Sequence, residues 1–440
     1  MTTLGERDQA YLWHPFTQHA AWAATAPLVI VRGEGCYLYD EAGNAYLDGV
    51  SSLWTNVHGH AHPRIDAAVR AQLDQLAHST LLGLSHPSAI LLAAALVHRM
   101  NPTDAPTGLR RVFFSDSGST AAEVALKMAF QYQQQVGATG RTRFANLSGA
   151  YHGDTVGAVS VGAIPLFHEV YGPLLFQPVT LPAPVTPGGE EEDRCLHQAL
   201  ALLEAHGEAL AAVIVEPLVQ GAAGMKMHSA QFLAAIAAKA REVGALLIVD
   251  EVATGFGRTG TLFAYQQAQV APDFVCVAKG LTGGYLPLAA TLTTERVFEA
   301  FLAGPGVPRQ FYHGHTYTGN PLACAAALAS LEVFDDERTL DHVGRISHWI
   351  TDALGTLAGP SVAAVRQRGV MVGIDVQRRD GRPFSPSDLA GARVCAAARP
   401  HGVLLRPLGD TLVWNPPLAV TEADVARLAA ATRAGIEAVS

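Results

Sequence analysis

ALLIVDEVATGFGRTG, residues 245–260, and DFVCVAKG, residues 273–280, decide the fold of this chain. Ala245–Val249 is an unbroken apolar run that ends on Asp250, and Phe274–Ala278 is a second that ends on Lys279. Such runs read as strands buried on both faces of a parallel sheet, and the gap between them is long enough for a crossover. Asp250 and Lys279 would then both emerge at carboxyl ends of strands, where open α/β sheets build their sites.

Working outward, the same alternation of strand-like and helical segments extends from Pro63 to about Phe334. It predicts an α/β domain with a mostly parallel sheet over 63–334. Val112–Phe114, Ala145–Leu147 and Ala212–Val215 are further candidate strands, and Ala121–Gln135 is a helical run. Ser88–Val97 is apolar but too short to span a bilayer, and reads as a core helix. Pro182–Glu192, rich in Pro, Gly and Glu, reads as a surface loop. Residues 1–62 hold a hairpin-like stretch with Gly43-Asn44 as its turn signal. Beyond Asp335, short strands such as Val370–Gly373 and Thr411–Trp414 predict a smaller α+β domain over 335–440, packed with the amino-terminal segment.

The chain has 440 residues, 49% of them hydrophobic and 16% charged, enough for a large core and more than one subdomain. A net charge of −9 argues against nucleic acid or an anionic membrane as main partner. The 5 cysteines are scattered, with no Cys-x-x-Cys pair, so neither a zinc site nor a disulfide framework is expected. His58, His60, His313 and His315 match no zinc-binding spacing, and no metal is expected. MTTLGERD at the start lacks a signal-peptide layout, which points to a cytosolic protein.

The chemistry centres on Lys279. Only Lys127, Lys226, Lys239 and Lys279 are lysines; two of the other three fall in helical patterns, and no apolar strand leads into Lys226. Gly280-Leu281-Thr282-Gly283-Gly284 follows Lys279, and its glycines would let the backbone approach a ligand. A desolvated lysine beside an acid suits pyridoxal phosphate: the lysine forms a Schiff base and the acid pairs with the pyridinium nitrogen. A buried Asp250 needs such a cationic partner, since an unpaired buried carboxylate is costly. Ser117-Gly118-Ser119-Thr120 opens a helix. Alone this is an ordinary cap; coupled to Lys279 and Asp250 it is a phosphate cradle. Tyr151-His152-Gly153-Asp154 follows another strand. The residues alone leave Tyr151 open between a core ring and a cover for a flat cofactor, with Val252 on the other face. Glu216 is one more carboxylate at a strand terminus.

Taken together, these residues resemble the class III aminotransferases of the fold-type I pyridoxal phosphate superfamily, over nearly the whole chain. IVDEVATGFGRTG (248–260) and DFVCVAKG (273–280) are the most specific stretches. The resemblance implies a large domain with a mostly parallel seven-stranded sheet, a small α+β domain, and catalytic roles for Lys279, Asp250 and Tyr151. It implies that Ser117, Gly118, Ser119, His152, Glu216 and Val252 contact the cofactor. Within the class, WHPFTQ (13–18), DGVSSLW (48–54), YHGDT (151–155) and RPLG (406–409) look like the diaminopelargonate aminotransferases of biotin synthesis, which act on 8-amino-7-oxononanoate. By that likeness Arg406 holds the substrate carboxylate, and Phe16, Trp54 and Tyr151 line an apolar slot.

Phe16, Leu53 and His315 depart from members that use S-adenosylmethionine. The segment around Gly314 and His315 looks instead like the branch that uses lysine as amino donor. Thr316 would reach the phosphate bound to the neighbouring subunit, which implies a homodimer with shared sites. The rivals are a class III transaminase acting on ω-amino acids, diamines or taurine, a mutase or decarboxylase on the same cofactor, and a non-catalytic protein on this fold.

Overall fold

A computed structural model describes residues 3–101 and 107–439. Its largest sheet has seven strands in the order Leu109–Ser115, Ala289–Thr294, Phe274–Val277, Leu246–Asp250, Leu210–Val215, Arg143–Leu147 and Val179–Leu181. Ala289–Thr294 runs antiparallel to both neighbours, and every other pairing is parallel. Asp250 lies opposite Cys276 in register, so its carboxylate and Lys279, just past the end of the adjacent strand, leave the same edge.

The apolar runs are continuous because both sheet faces are covered. Successive side chains on a strand point to opposite faces. Leu246 and Ile248 pack with Ala121, Ala122 and Ala125 of the helix Gly118–Gln135. Leu247 and Val249 pack in a second cluster with Phe232 and Ile236 of the helix Ala230–Glu242, and with Leu92 and Leu96 of Pro87–Met100. Ile248 is fully buried; truncating such a residue to alanine costs about 2–5 kcal/mol.

The hairpin near the amino terminus joins Tyr37–Asp40 to Ala45–Asp48. The Asp40 carboxylate accepts the amides of Ala42 and Asn44, at 3.0 and 2.8 Å, and fastens its turn. Val403–Leu404 adds to this sheet in parallel with Leu47–Asp48 and ties the two chain ends together. A further four-stranded antiparallel sheet holds Val362–Arg368, Met371–Val376, Thr411–Trp414 and Arg406–Leu408. No helix among the described residues is long and apolar enough to cross a membrane.

One expectation needs correction. Residues 182–192 are not all loop: a helix, Gly189–His206, begins inside them. Glu190, Glu191 and Glu192 sit in its first turn, where negative charge complements the helix dipole. Glu192 also accepts the amides of Gly188 and Ser229, each at 2.6 Å. What reads as loop composition is a helix start.

Candidate active site

The ends of five strands of the large sheet deliver the parts. After Leu109–Ser115 comes Ser117, the N-cap of the helix Gly118–Gln135. Its Oγ accepts the Thr120 amide at 3.2 Å, while the Gly118 and Ser119 amides have no acceptor among the described residues. Two free amides at a helix start attract an anion. Side-chain-free Gly118 is required by a close approach: a Cβ there would lie 2.5 Å from Val252. Ser119 Oγ accepts the Thr155 amide at 3.0 Å, linking this helix start to the segment after Tyr151.

Asp250 is buried. Its Oδ2 accepts from Nδ1 of His152 at 2.7 Å and its Oδ1 accepts the Val252 amide at 3.0 Å. His152 Nε2 is buried without a hydrogen-bond partner among the described residues. Glu216, past the end of Leu210–Val215, accepts the Tyr151 amide at 3.1 Å and the Gly221 amide at 3.0 Å. Burial pushes its carboxyl up to about 7. Glu216 thus braces the backbone under Tyr151.

Lys279 adopts a left-handed conformation, φ 46°, at the start of the turn Lys279–Thr282. Desolvation brings its ammonium down to about 8, against the opposing pull of Asp250 and Glu216. Its Nζ sits 4.6 Å from the centre of the Trp54 ring. Of the glycines that follow, Gly284 lines the cavity described below, and both Gly280 and Gly284 are also required by close packing. A Cβ on Gly284, φ 90°, would meet the Asn56 backbone at 2.9 Å, and one on Gly280 would meet Phe256 and Val57.

These parts face one cavity of about 800 Å³. Phe16, Leu53, Trp54, Ser117, Gly118, Ser119, Tyr151, His152, Glu216, Asp250, Val252, Lys279 and Arg406 all line it. Arg406, half-buried on Arg406–Leu408, has no carboxylate partner among the described residues. An aromatic wall runs from Phe16 through Phe167 to Tyr151, with ring centres 5.4 and 6.2 Å apart. Gly314, His315 and Thr316 do not line this cavity; Gly314 and Thr316 are exposed on a separate loop. A primary amine, a buried carboxylate and free amides at a helix start therefore converge, the set of groups that a phosphorylated pyridine aldehyde requires.

Residues 19–434 match the family model of class III aminotransferases. The chain belongs to the class III aminotransferases. It is 51% identical to the adenosylmethionine-8-amino-7-oxononanoate aminotransferase of Nitratidesulfovibrio vulgaris, over 98% of this chain and 81% of that protein. The crystal structure of the Methanocaldococcus jannaschii protein of the same name superposes with a TM-score of 0.94 at 41% identity, covering 99% of both chains. An amine transaminase from an uncultivated Pseudomonas species, solved with pyridoxal phosphate bound, gives 0.90 at 36% identity, covering 98% of this chain and 99% of that one. Pyridoxal phosphate is the cofactor of class III aminotransferases.

Several cavity residues of this aminotransferase had no assigned role in the sequence reading. Burial pushes the Tyr151 phenol up, and so does Asp154, which accepts from its hydroxyl at 2.8 Å. Asp154 stands three residues beyond Tyr151 in the same motif, close enough for a local pairing to be sought. Phe167 lies in an unremarkable apolar stretch, and nothing in its neighbourhood signals a site.

Proposed function

We propose that this aminotransferase converts 8-amino-7-oxononanoate to 7,8-diaminononanoate in biotin biosynthesis. One observation carries the reading: Arg406 lines the cavity that holds Lys279, and no protein carboxylate among the described residues answers its guanidinium. An oxo acid with a long apolar chain would place its carboxylate there, with a two-pronged contact, and its chain along Phe16, Trp54 and Tyr151. The names of the relatives above agree.

The residues present fit pyridoxal phosphate. Gly118 and Ser119 offer free amides to its phosphate, Asp250 a buried carboxylate to its ring nitrogen, and Lys279 a primary amine to its aldehyde. Tyr151 and Val252 border the space for the ring. When bound, the cofactor supplies an electron sink for charge at the amine-bearing carbon. Lys279 Nζ, brought down to about 8, would take the proton from that carbon and return it two atoms along, on the carbon across the nitrogen. Asp250 holds the proton on the ring nitrogen, and His152 Nδ1–H orients Asp250. Trp54, buried against Lys279, would keep water from the reacting atoms.

The loop of Gly314, His315 and Thr316 completes the site of a second copy in a homodimer. Its exposure away from its own cavity supports that arrangement, as do the exposed side chains of Leu82, Leu84, Tyr312 and Tyr317. Five free cysteines suit a cytosolic location.

S-adenosylmethionine is the favoured donor, since the relatives carry it in their names. Lysine stands as a second reading on Phe16, Leu53 and His315. The test is a pair of half-reactions: the holoenzyme is mixed with each donor, loss of its visible band is followed, and its return is timed with 8-amino-7-oxononanoate or pyruvate. Return with pyruvate alone would replace this reading with that of a general amine transaminase.

A further inference from the structure

Ser51, Ser52, Leu53 and Trp54 carry φ values of 50°, 49°, 76° and 68°. They form a turn of left-handed conformation built without glycine. For L-residues this crowds Cβ against the next carbonyl oxygen, and ordinarily it is borne by single residues. Such strain persists only where the surroundings over-determine it, and it gathers at functional sites.

Here the surroundings do so from two sides. Asp48, 1% exposed, accepts the Ser52 amide on Oδ1 at 2.8 Å and the Ser52 hydroxyl on Oδ2 at 2.7 Å. Nε2 of His60 reaches the same Oδ2 at 3.1 Å. From the far side Arg258 donates to Ser51 Oγ at 3.2 Å and to the Asn56 carbonyl at 2.8 Å. Ser51 Oγ in turn donates to the Asn415 carbonyl at 2.6 Å.

The turn delivers Leu53 and Trp54 to the cavity wall. The Trp54 ring faces Lys279 Nζ and is backed by Gly221, where a Cβ would come within 2.8 Å of it. Trp54 Nε1 is buried with no acceptor among the described residues. A turn needed only to reverse the chain would be relieved by glycine. This one carries a side chain at every position, and two of them serve the cavity.

We propose that Asp48 is a positioning residue for amino transfer. Its carboxylate holds the left-handed turn Ser51–Trp54, which sets the Trp54 ring against Lys279 and the width of the slot at Leu53. Asp48 does not line the cavity and acts through the turn. The statement about the slot rests on the substrate reading above; the statement about Trp54 and Lys279 does not.

The experiment compares the wild type, Asp48→Ala, Ser52→Gly and the double variant. Two quantities are read: the rate at which the apoenzyme takes up pyridoxal phosphate, with no substrate present, and KM and kcat for the oxo acid. Asp48→Ala raises KM about tenfold, with a smaller change in kcat, and alters the uptake rate about threefold or more. Ser52→Gly alone stays near wild type. The double variant returns both quantities to within about twofold of wild type, because glycine adopts positive φ without the carboxylate's help.

An Asp48→Ala protein with wild-type KM and uptake overturns the proposal. So does a double variant as impaired as Asp48→Ala, since Asp48 would then act by another route. Should Asp48→Ala fail to fold, the double variant must fold and take up cofactor normally; its failure also overturns the proposal. A wild-type enzyme that ignores 8-amino-7-oxononanoate sinks the substrate reading only, and uptake with its rescue still decides this one.

Discussion

Nδ1 of His152 donates to Oδ2 of Asp250 across 2.7 Å, with the two side chains 0% and 4% exposed. The contact fixes the imidazole tautomer and turns the carboxylate toward the cavity, while the Val252 amide holds Oδ1. A carboxylate anchored in this way needs little reorganisation when it meets a cation, which is the electrostatic preorganisation that active sites use.

Asp250→Asn therefore removes the buried negative charge held ready for a ring nitrogen. Deleting one partner of a buried ion pair costs about 3–5 kcal/mol, or roughly 10²–10⁴-fold in rate. His152→Asn should lower kcat less, since the carboxylate stays and only its orientation loosens. The check is kcat for both variants beside cofactor affinity from equilibrium dialysis. A near-normal kcat in Asp250→Asn would end the assignment.

Lys279 makes a pH prediction whose sign follows from burial. Its folded value, about 8, lies below the ordinary lysine value of 10.5. The folded apoprotein thus releases this proton more easily than the unfolded chain. Its protonated form destabilises the fold below about pH 8, and the penalty fades as pH rises toward the unfolded value. Lys279→Met should raise the melting temperature of the apoprotein at about pH 7, by the equivalent of a few kcal/mol at most. Near pH 10 the gain should shrink. Melting curves at the two pH values test this; an equal gain at both would show that the lysine is not desolvated.

Much of this site was legible in the sequence because buried strands write themselves as unbroken apolar runs, and each run here ends on a chemically distinct residue. Asp250, Glu216 and Lys279 could be placed at one sheet edge for that reason alone. The left-handed turn at Ser51–Trp54 was not legible, since no glycine marks it and its cause lies in Asp48 and Arg258, residues that meet only in the folded chain. Gly280 was legible only in part: it reads as a ligand contact but does not line the cavity and admits Phe256, whereas Gly284 both lines the cavity and admits the Asn56 backbone. Residues 189–192 read as loop because helix-starting acids and loop acids look alike until the helix follows.

Arg406 separates substrate recognition from cofactor recognition. Arg406→Ala should raise KM for the oxo acid by roughly 10–100-fold, the worth of a charge-assisted two-pronged contact, and leave cofactor affinity almost unchanged. Arg406→Lys should recover only part of the loss, because an ammonium lacks the planar fork. Steady-state kinetics and dialysis on the same preparations decide it. Equal losses in both would mean that Arg406 shapes the fold of the cavity and does not read the carboxylate.

The shared site of a homodimer can be tested by mixing two defects. Thr316 is exposed and does not line the cavity of its own chain, so its proposed role belongs to a second copy. Thr316→Asp would bring a negative charge toward the neighbouring phosphate and weaken cofactor binding there. Lys279→Ala abolishes the amine in its own cavity. In a mixed dimer, the chain with the Thr316→Asp substitution keeps Lys279 and receives an intact Thr316 from its partner, while the opposite site carries both defects. A two-fold interface with random pairing gives mixed dimers in about half the population, each with one sound site, so activity should return to about a quarter of wild type. Co-expression of two tagged chains, followed by tandem purification, isolates the mixed species directly. No recovery in that species, with both parents inactive, would mean that each chain completes its site alone.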